Sequence, residues 1–156
     1  QWAADKTMID GTARRLYPDD NAPRGEVIEY MWKAAGRPTP TVDNPFTDVS
    51  TSDSYYNAVL WAYQQGVTTG TSAVTFAPAE TCTRAQVVTF LWRAMKGAET
   101  EAESEFADVG ADAYYASPVA WAVDKSITNG TSATTFNPDA TCTRAQILTF
   151  LYRAYK

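Results

Sequence analysis

Polar residues follow one narrow stripe along the segment 83–96, and the rest of the predicted helix surface there is apolar. Gln86, Thr89 and Arg93 lie three and four residues apart, which places them on one side of a helix. We interpret this stripe as the solvated side, with the remaining sides covered by other elements. The segment 143–155 has the same distribution. The sequence therefore predicts two helices that are buried on several sides.

A unit of about sixty residues recurs along the chain. Residues 81–86 read Thr-Cys-Thr-Arg-Ala-Gln and recur as residues 141–146, and flanking aromatic and Gly-Thr-Ser motifs recur in the same order. A weaker copy opens the chain, with Gly11-Thr12 in the loop position and Pro-Arg-Gly-Glu at residues 23–26. Such units bury their apolar faces against one another. The predicted repeats are residues 1–36 (incomplete at its N-terminus), 46–97 and 106–156, which are joined by linkers 37–45 and 98–105 and form one compact domain.

Each repeat is predicted to contain two helices joined by a loop. In the third repeat, Ser117 and Pro118 form a helix start signal, so its first helix is expected to begin near residue 118. The counterpart in the second repeat, residues 57–65, is followed by Gly66, which is a frequent residue type directly after a helix. The loops then connect to the second helix of each repeat.

The second helix of a repeat begins at a capping pattern. Thr83 and Gln86 form a capping box, in which each side chain accepts a hydrogen bond from the other residue's backbone N–H group. Pro23 replaces the threonine in the first repeat. We therefore expect that helix to start with proline near its first turn and to be capped by Asn21 or by water.

The loops contain Gly70 and Gly130 at matching positions. A glycine there indicates a backbone position with positive φ or a close approach to another group. Phe76 and Phe136 follow these glycines and are expected to fill the core beneath the loops.

Composition excludes several classes of function. The chain has 156 residues, of which 45% are apolar, so it can bury one real core. Its net charge of −5 argues against a nucleic-acid groove, and no apolar run is long enough to span a membrane. It has no histidine and only two cysteines, so we predict no catalytic residue, no metal site and no cofactor. A glycosidase pair of Asp and Glu stays open on spacing, but nothing singles one out.

An arginine begins an apolar helix face in all three copies, at Arg24, Arg84 and Arg144. The helix dipole disfavours a cation at this end, so the position calls for an explanation. The guanidinium is expected to reach the rim of the core beside free backbone N–H groups, a combination that suits a carboxylate or a phosphate. The alternatives are an ion pair between repeats, with Asp48 or Asp108 as partner, and a solvated arginine.

The order of the motifs resembles the S-layer homology (SLH) family. From Trp2 to Arg153, Phe-x-Asp-Val, Tyr-Tyr, Trp-Ala, Gly-Thr, Phe-x-Pro and Thr-Arg-Ala-Gln follow one another as in that family. Gln86 and Gln146 stand where the family usually has Glu, and residues 23–26 depart further. The resemblance implies an all-α fold of three helix-loop-helix repeats in a pseudo-threefold arrangement around a central helical bundle, with grooves between neighbouring repeats.

The resemblance also implies a function and a location. SLH modules sit outside the bacterial cell and attach surface proteins non-covalently to the cell wall. They bind secondary cell-wall polysaccharide, which is often pyruvylated and linked to peptidoglycan. The implied module is monomeric, with any self-assembly through the rest of its parent protein. The alternative is a protein-binding or lattice-forming interface that uses the same grooves for another chain.

The family's key arginine corresponds to Arg84 and Arg144 and, more loosely, to Arg24, each suited to the carboxylate of a pyruvate ketal. The tryptophans are sugar-stacking candidates, although at helical spacing in apolar runs they are more often core residues. The candidate ligand-binding residues are Arg24, Glu26, Thr83, Arg84, Gln86, Thr143, Arg144 and Gln146 at the helix starts, Gly70, Thr71, Ser72, Gly130, Thr131 and Ser132 in the loops, and Trp2, Trp61 and Trp121.

Cys82 and Cys142 occupy equivalent positions just before the caps, and Ala22 takes this place in the first copy. A disulfide is one interpretation for a secreted protein, but it requires the two Cα atoms to lie within about 7 Å of each other. Because the first copy has alanine there, we favour two buried, reduced thiols that act as small apolar residues.

Overall fold

Helices provide the regular secondary structure of residues 2–5, 17–99 and 104–156, the part of the chain that the computed structural model describes. Within these ranges the all-α prediction is confirmed. Residues 1, 6–16 and 100–103, which include the predicted Gly11-Thr12 loop and part of the acidic linker, lie outside them. The helices are α1 (Trp2–Asp5), α2 (Arg24–Ala34), α3 (Tyr56–Gln64), α4 (Arg84–Ala94), α5 (Ala116–Asp124) and α6 (Arg144–Tyr155).

The predicted capping boxes open α4 and α6. Gln86 Oε1 accepts from Thr83 N at 3.0 Å, and Thr83 Oγ1 accepts from Gln86 N at 3.2 Å. Thr143 and Gln146 form the same pair at the start of α6. Both helices begin one residue after the capping threonine, so local sequence determines where they start.

Two other helix starts differ from the prediction. Helix α5 begins at Ala116 rather than near residue 118, because Ala116 N donates to Ala113 O and the preceding turn runs directly into the helix. Helix α2 follows Pro23, which provides no side-chain cap, so the Asn21 cap is wrong. The first N–H group of α2 donates to Glu80 O at 2.7 Å instead.

The segments that precede α2, α4 and α6 pair with one another. Single bridges link Asn21 with Thr143, Pro23 with Thr81, and Thr83 with Thr141, so each segment contacts both of the others. At the middle of this junction Ala22, Cys82 and Cys142 are fully buried. Their backbones approach closely: Cys142 N donates to Cys82 O at 3.1 Å, and Ala22 N donates to Cys142 O at 3.3 Å.

Both cysteines are free thiols, as the sequence interpretation favoured. Burial raises the pKa of Cys82 to about 11 and that of Cys142 to about 12, against the opposing influence of nearby arginines. Such thiols stay protonated and unreactive at neutral pH. They serve as small side chains at a place where three backbone segments meet.

One hydrophobic core runs through the described helices. Helix α2 packs against α3, α4 and α6, and α4 also packs against α5. On α4, Val87, Val88 and Leu91 are completely buried, as expected for a helix that is apolar on several sides. Phe76 and Phe136 are completely buried beneath the loops, as predicted.

The loop glycines are required by the backbone. Gly70 has φ +87° and Gly130 has φ +80°, and a Cβ atom at Gly70 would lie 2.4 Å from Thr75 O. At Gly130 it would lie 2.5 Å from the Phe106 ring. Both parts of the prediction, positive φ and close approach, are therefore confirmed.

A carboxylate anchors each loop to the start of its repeat. Asp108 accepts hydrogen bonds from Phe136 N at 2.8 Å and from Asn137 N at 2.7 Å. Asp48 accepts from Phe76 N and Ala77 N in the same way. Burial alone would raise the pKa of either carboxyl, but these backbone donors and a nearby arginine hold it below its usual value.

We expect Asp108→Asn to destabilise the protein by about 1 kcal/mol near neutral pH, because the amide keeps one acceptor oxygen and partial solvation screens the lost charge. A lowered folded-state pKa contributes stability above the unfolded pKa of about 3.9, and this is lost as pH falls through the folded value. Urea unfolding should therefore show a difference near pH 7 that shrinks at about pH 2. The exposed Asp112→Asn is the control, and an equal effect there would contradict the assignment.

We also expect a single unfolding transition, because the junction ties α2, α4 and α6 together through backbone hydrogen bonds. The five tryptophans are distributed over all three predicted repeats, so their fluorescence reports on the whole chain. Fluorescence and far-ultraviolet circular dichroism should give coincident urea curves. Separate transitions for the two signals would show that the repeats unfold independently.

Candidate functional site

Arg84 is buried with its charge at the floor of a groove. Its side chain is 4% exposed, and Nε donates to Phe136 O at 2.8 Å. The guanidinium carbon lies 4.8 Å from the centre of the Phe136 ring and 5.5 Å from that of Phe150, within the range of cation–π attraction. Burial lowers the pKa of Arg84, which nevertheless stays a cation at neutral pH. The hydrogen bond from Nε and the two aromatic rings together hold the guanidinium in one position.

Arg24 has the same environment one repeat earlier. It is also 4% exposed, and its Nε donates to Phe76 O at 3.0 Å. Its guanidinium carbon lies 4.9 Å from the Phe76 ring centre and 5.2 Å from that of Phe90. Among the described residues, neither Arg24 nor Arg84 has a carboxylate oxygen within 4.0 Å of a guanidinium nitrogen. Each is a buried cation without an ion pair in that part of the chain. Asp48, near Arg24, and Asp108, near Arg84, act on these cations only from beyond that distance.

Arg144 differs from the other two. Its Nε lies 2.8 Å from Glu26 Oε1 and 3.0 Å from Oε2, and its Nη1 lies 3.8 Å from Asp20 Oδ2. Tyr30 donates its hydroxyl hydrogen to the same Glu26 carboxylate. The hydrogen bond to Glu26 raises the pKa of Arg144 against the effect of burial. An ion pair between repeats therefore exists, but with Glu26 rather than with Asp48 or Asp108.

A groove of about 550 Å³ opens above Arg84, between the start of α4, the loop at residues 128–131 and the side of α6. It brings together four of the predicted site residues, Arg84, Gly130, Thr131 and Gln146. The full lining is Arg84, Thr128, Asn129, Gly130, Thr131, Ala145, Gln146, Thr149, Phe150 and Arg153.

The polar stripe of α6 forms one wall of this groove. Gln146, Thr149 and Arg153 are the residues of that stripe, which the sequence analysis interpreted only as a solvated side. Arg153 was not among the predicted site residues, although its helical spacing from Gln146 was the available signal. Its Nη1 donates to Ile127 O at 2.9 Å, which holds a second cation at the groove.

The expectation of free N–H groups at the helix start is wrong. Arg84 N donates to Ala140 O at 2.8 Å, and Ala85 N donates to Pro138 O at 3.0 Å. The next N–H group, that of Gln86, is bonded to the cap. Because another repeat's loop and the cap satisfy these donors, the start of α4 offers the groove a guanidinium group but no free helix-terminus N–H group.

The predicted hydroxyl residues mostly shape their own loops. Ser132 Oγ lies 2.6 Å from Thr135 Oγ1, and Thr131 Oγ1 donates to Thr135 O at 3.1 Å. Residues 71–75 repeat these contacts. Thr131 also lines the groove, whereas Ser132 does not.

The predicted tryptophans do not line this groove. Trp61 is 5% exposed and Trp121 is 9% exposed, and both belong to the core, so their ring faces are largely covered. Trp2 is partly buried and packs edge-on against Tyr152 with the ring centres 5.6 Å apart. The structure therefore favours the core interpretation for Trp61 and Trp121.

Comparison with known proteins finds two matching repeats in this chain. A family model described as "S-layer homology domain" matches residues 45–88 and 105–148, together more than half of the chain. The chain is 35% identical over 99 residues to a surface-layer 125 kDa protein of Lysinibacillus sphaericus, and the aligned segment covers 64% of this chain and 8% of that protein. It is 33% identical over 116 residues to a cell surface protein of Thermoanaerobacter kivui, covering 70% of this chain and 15% of the relative.

An endoglucanase of Bacillus sp. (strain KSM-635) is 32% identical over 112 residues, 72% of this chain and 12% of the enzyme. The chain thus spans only a small part of each of these three relatives. The two matched ranges contain the Thr-Arg-Ala-Gln helix starts and the Asp-anchored loops described above. By this match, and by the repeated architecture that carries it, the chain belongs to the S-layer homology domain family.

Proposed function

We propose that this chain anchors a bacterial surface protein to the cell wall by binding secondary cell-wall polysaccharide, in pyruvylated form, in the groove at Arg84 and at Arg24, which has the same environment. The observation that carries the proposal is a buried guanidinium, fixed between two aromatic rings and without a close carboxylate, which occurs twice. A desolvated cation of this kind gains most from an anionic partner that reaches it through the groove.

The groove chemistry suits a sugar that carries one carboxylate. Because Nε of Arg84 is bonded to Phe136 O, its Nη groups supply the donors for the carboxylate of a pyruvate ketal. Thr131, Asn129 and Gln146 offer the hydroxyl and amide groups that bind sugar hydroxyls. Arg153 adds a second cation at the same groove.

The proposed architecture is three SLH repeats, residues 1–36, 46–97 and 106–156, in a pseudo-threefold arrangement. The support is the cyclic pairing of the segments before α2, α4 and α6, each with both others. In this proposal each groove lies between two repeats, since Arg84 belongs to one repeat and the loop at 128–131 to the next.

The proposed location is the bacterial cell surface, and the proposed role is binding without catalysis. Two of the relatives are a surface-layer protein and a cell surface protein, which supports this location. The match to the endoglucanase covers 12% of that enzyme, and the family matched is that of the SLH module. Among the described helices, none is long and apolar enough to cross a membrane.

We expect Arg24→Lys with Arg84→Lys to weaken binding to purified wall sacculi by about tenfold or more, and each single change to weaken it less. Lysine keeps the positive charge but lacks the planar fork that binds a carboxylate with two donors. Sedimentation of sacculi with bound protein measures the effect. Lys125→Ala, which removes an exposed cation outside the groove, is the control. Undiminished binding by a folded double variant would contradict the proposal.

We expect binding to depend weakly on salt and strongly on the polymer's acidic substituent. With a net charge of −5 the chain gains no long-range attraction to an anionic polymer, so short-range contacts must carry the affinity. Sacculus binding measured at low and physiological salt, with intact, depyruvylated and polysaccharide-stripped walls, tests this. Binding that survives stripping would favour the protein-binding alternative instead.

A further inference from the structure

We infer that Glu26 is a built-in counter-ion for Arg144, which closes this third arginine to anionic ligands and confines their binding to Arg24 and Arg84. The inference rests on the proposed function for those two arginines. It concerns a position at which the first repeat differs in charge from the others, where Glu26 replaces the glutamines at 86 and 146.

The cause lies in the proline at the start of α2. At the other two helix starts the glutamine side chain accepts a hydrogen bond from the threonine N–H group, as Gln86 does from Thr83 N at 3.0 Å. Pro23 has no N–H group, so Glu26 has no such donor and cannot close a capping box. Its carboxylate instead lies against Arg144, which is 118 residues away in sequence.

The carboxylate of Glu26 binds the Nε–H group of Arg144, whereas the Nε–H groups of Arg24 and Arg84 bind neutral backbone carbonyl groups. At Arg84 and Arg24 the Nε hydrogen bond goes to a backbone carbonyl oxygen, whereas at Arg144 it goes to both oxygens of a carboxylate. The side chains of Arg144 and Glu26 are 19% and 25% exposed, so solvent only partly screens their attraction. Tyr30 donates to the same carboxylate and fixes its orientation.

The charges around Arg144 strengthen this difference. Asp20 places a second carboxylate oxygen 3.8 Å from Nη1. Lys33 stands nine residues after Arg24, as Arg153 does after Arg144, and it forms an ion pair of 2.8 Å with Glu29. Arg144 and Lys33 therefore each have a carboxylate partner within the chain itself. A ligand carboxylate would have to displace Glu26 from Arg144 and approach the carboxylate of Asp20.

Nuclear magnetic resonance of the arginine Nε–H groups in the full chain tests this groove by groove. The probe is the pyruvate ketal of a methyl hexopyranoside, which carries a single carboxylate. In the wild type we expect the Arg24 and Arg84 signals to shift on titration and the Arg144 signal to stay unchanged. In Glu26→Gln we expect the Arg144 signal to respond, with an affinity gain of about tenfold or more.

Two further variants make the result specific. Glu26→Ala should give the same gain, since it removes the carboxylate without adding an amide, and Glu105→Gln should leave Arg144 silent, since it removes an exposed carboxylate elsewhere. A wild-type Arg144 signal that shifts with the probe, or one that stays silent in both folded Glu26 variants, would overturn the inference. Silent Arg24 and Arg84 signals would instead refute the proposed function, while the Arg144 response would still decide the role of Glu26.

Discussion

The first-turn N–H groups of α2, α4 and α6 are hydrogen-bonded to loop carbonyls from another part of the chain, and the other features of the structure depend on this exchange. Arg24 N donates to Glu80 O, Arg84 N to Ala140 O, and Arg144 N to Asp20 O. A helix start normally leaves such donors to water or to caps. Here each helix start is hydrogen-bonded to a neighbouring loop. At α2 and α4 the arginine that begins the helix is buried and donates to the backbone of that neighbouring repeat.

These hydrogen bonds explain how an acidic chain holds two cations at one groove. The net charge is −5, yet the groove described here holds Arg84 and Arg153, with each guanidinium tied to a loop carbonyl by one of its nitrogens. The carboxylates of Asp48 and Asp108 accept hydrogen bonds from backbone N–H groups of the loops. Neither carboxylate lies within 4.0 Å of the guanidinium nitrogens of Arg24 or Arg84, yet the attraction of these arginines still contributes to the lowered pKa of both carboxyl groups.

Local rules predicted much of the fold, because the features concerned depend on neighbours in sequence. Thr83 and Gln86 are three residues apart, and Gly70 needs only its own backbone angle and the adjacent loop, so both followed from the sequence. The start of α5 was misplaced because a preceding turn continues into it. The site was harder to predict from the sequence, because its contacts join residues that are far apart. Arg84 donates to Phe136 O, 52 residues away, and Glu26 contacts Arg144, 118 residues away. The sequence pattern identified the polar stripe that includes Arg93 and the matching stripe on α6. Only the tertiary structure shows that the stripe on α6 faces a groove.

The cyclic pairing at the junction has a consequence for the order in which the chain folds. Residues 18–23 complete the start of α6, and they are separated from it by more than 100 residues. Contacts of such long range form late, since the entropy of closing a long loop must be overcome before they contribute stability. During synthesis, which begins at the N-terminus, residues 18–23 are made long before the start of α6 with which they pair. The junction is therefore complete only once α6 is available. Arg84, which packs against Phe136 and Phe150, acquires its buried environment no earlier, whereas Arg24 needs only Phe76 and Phe90.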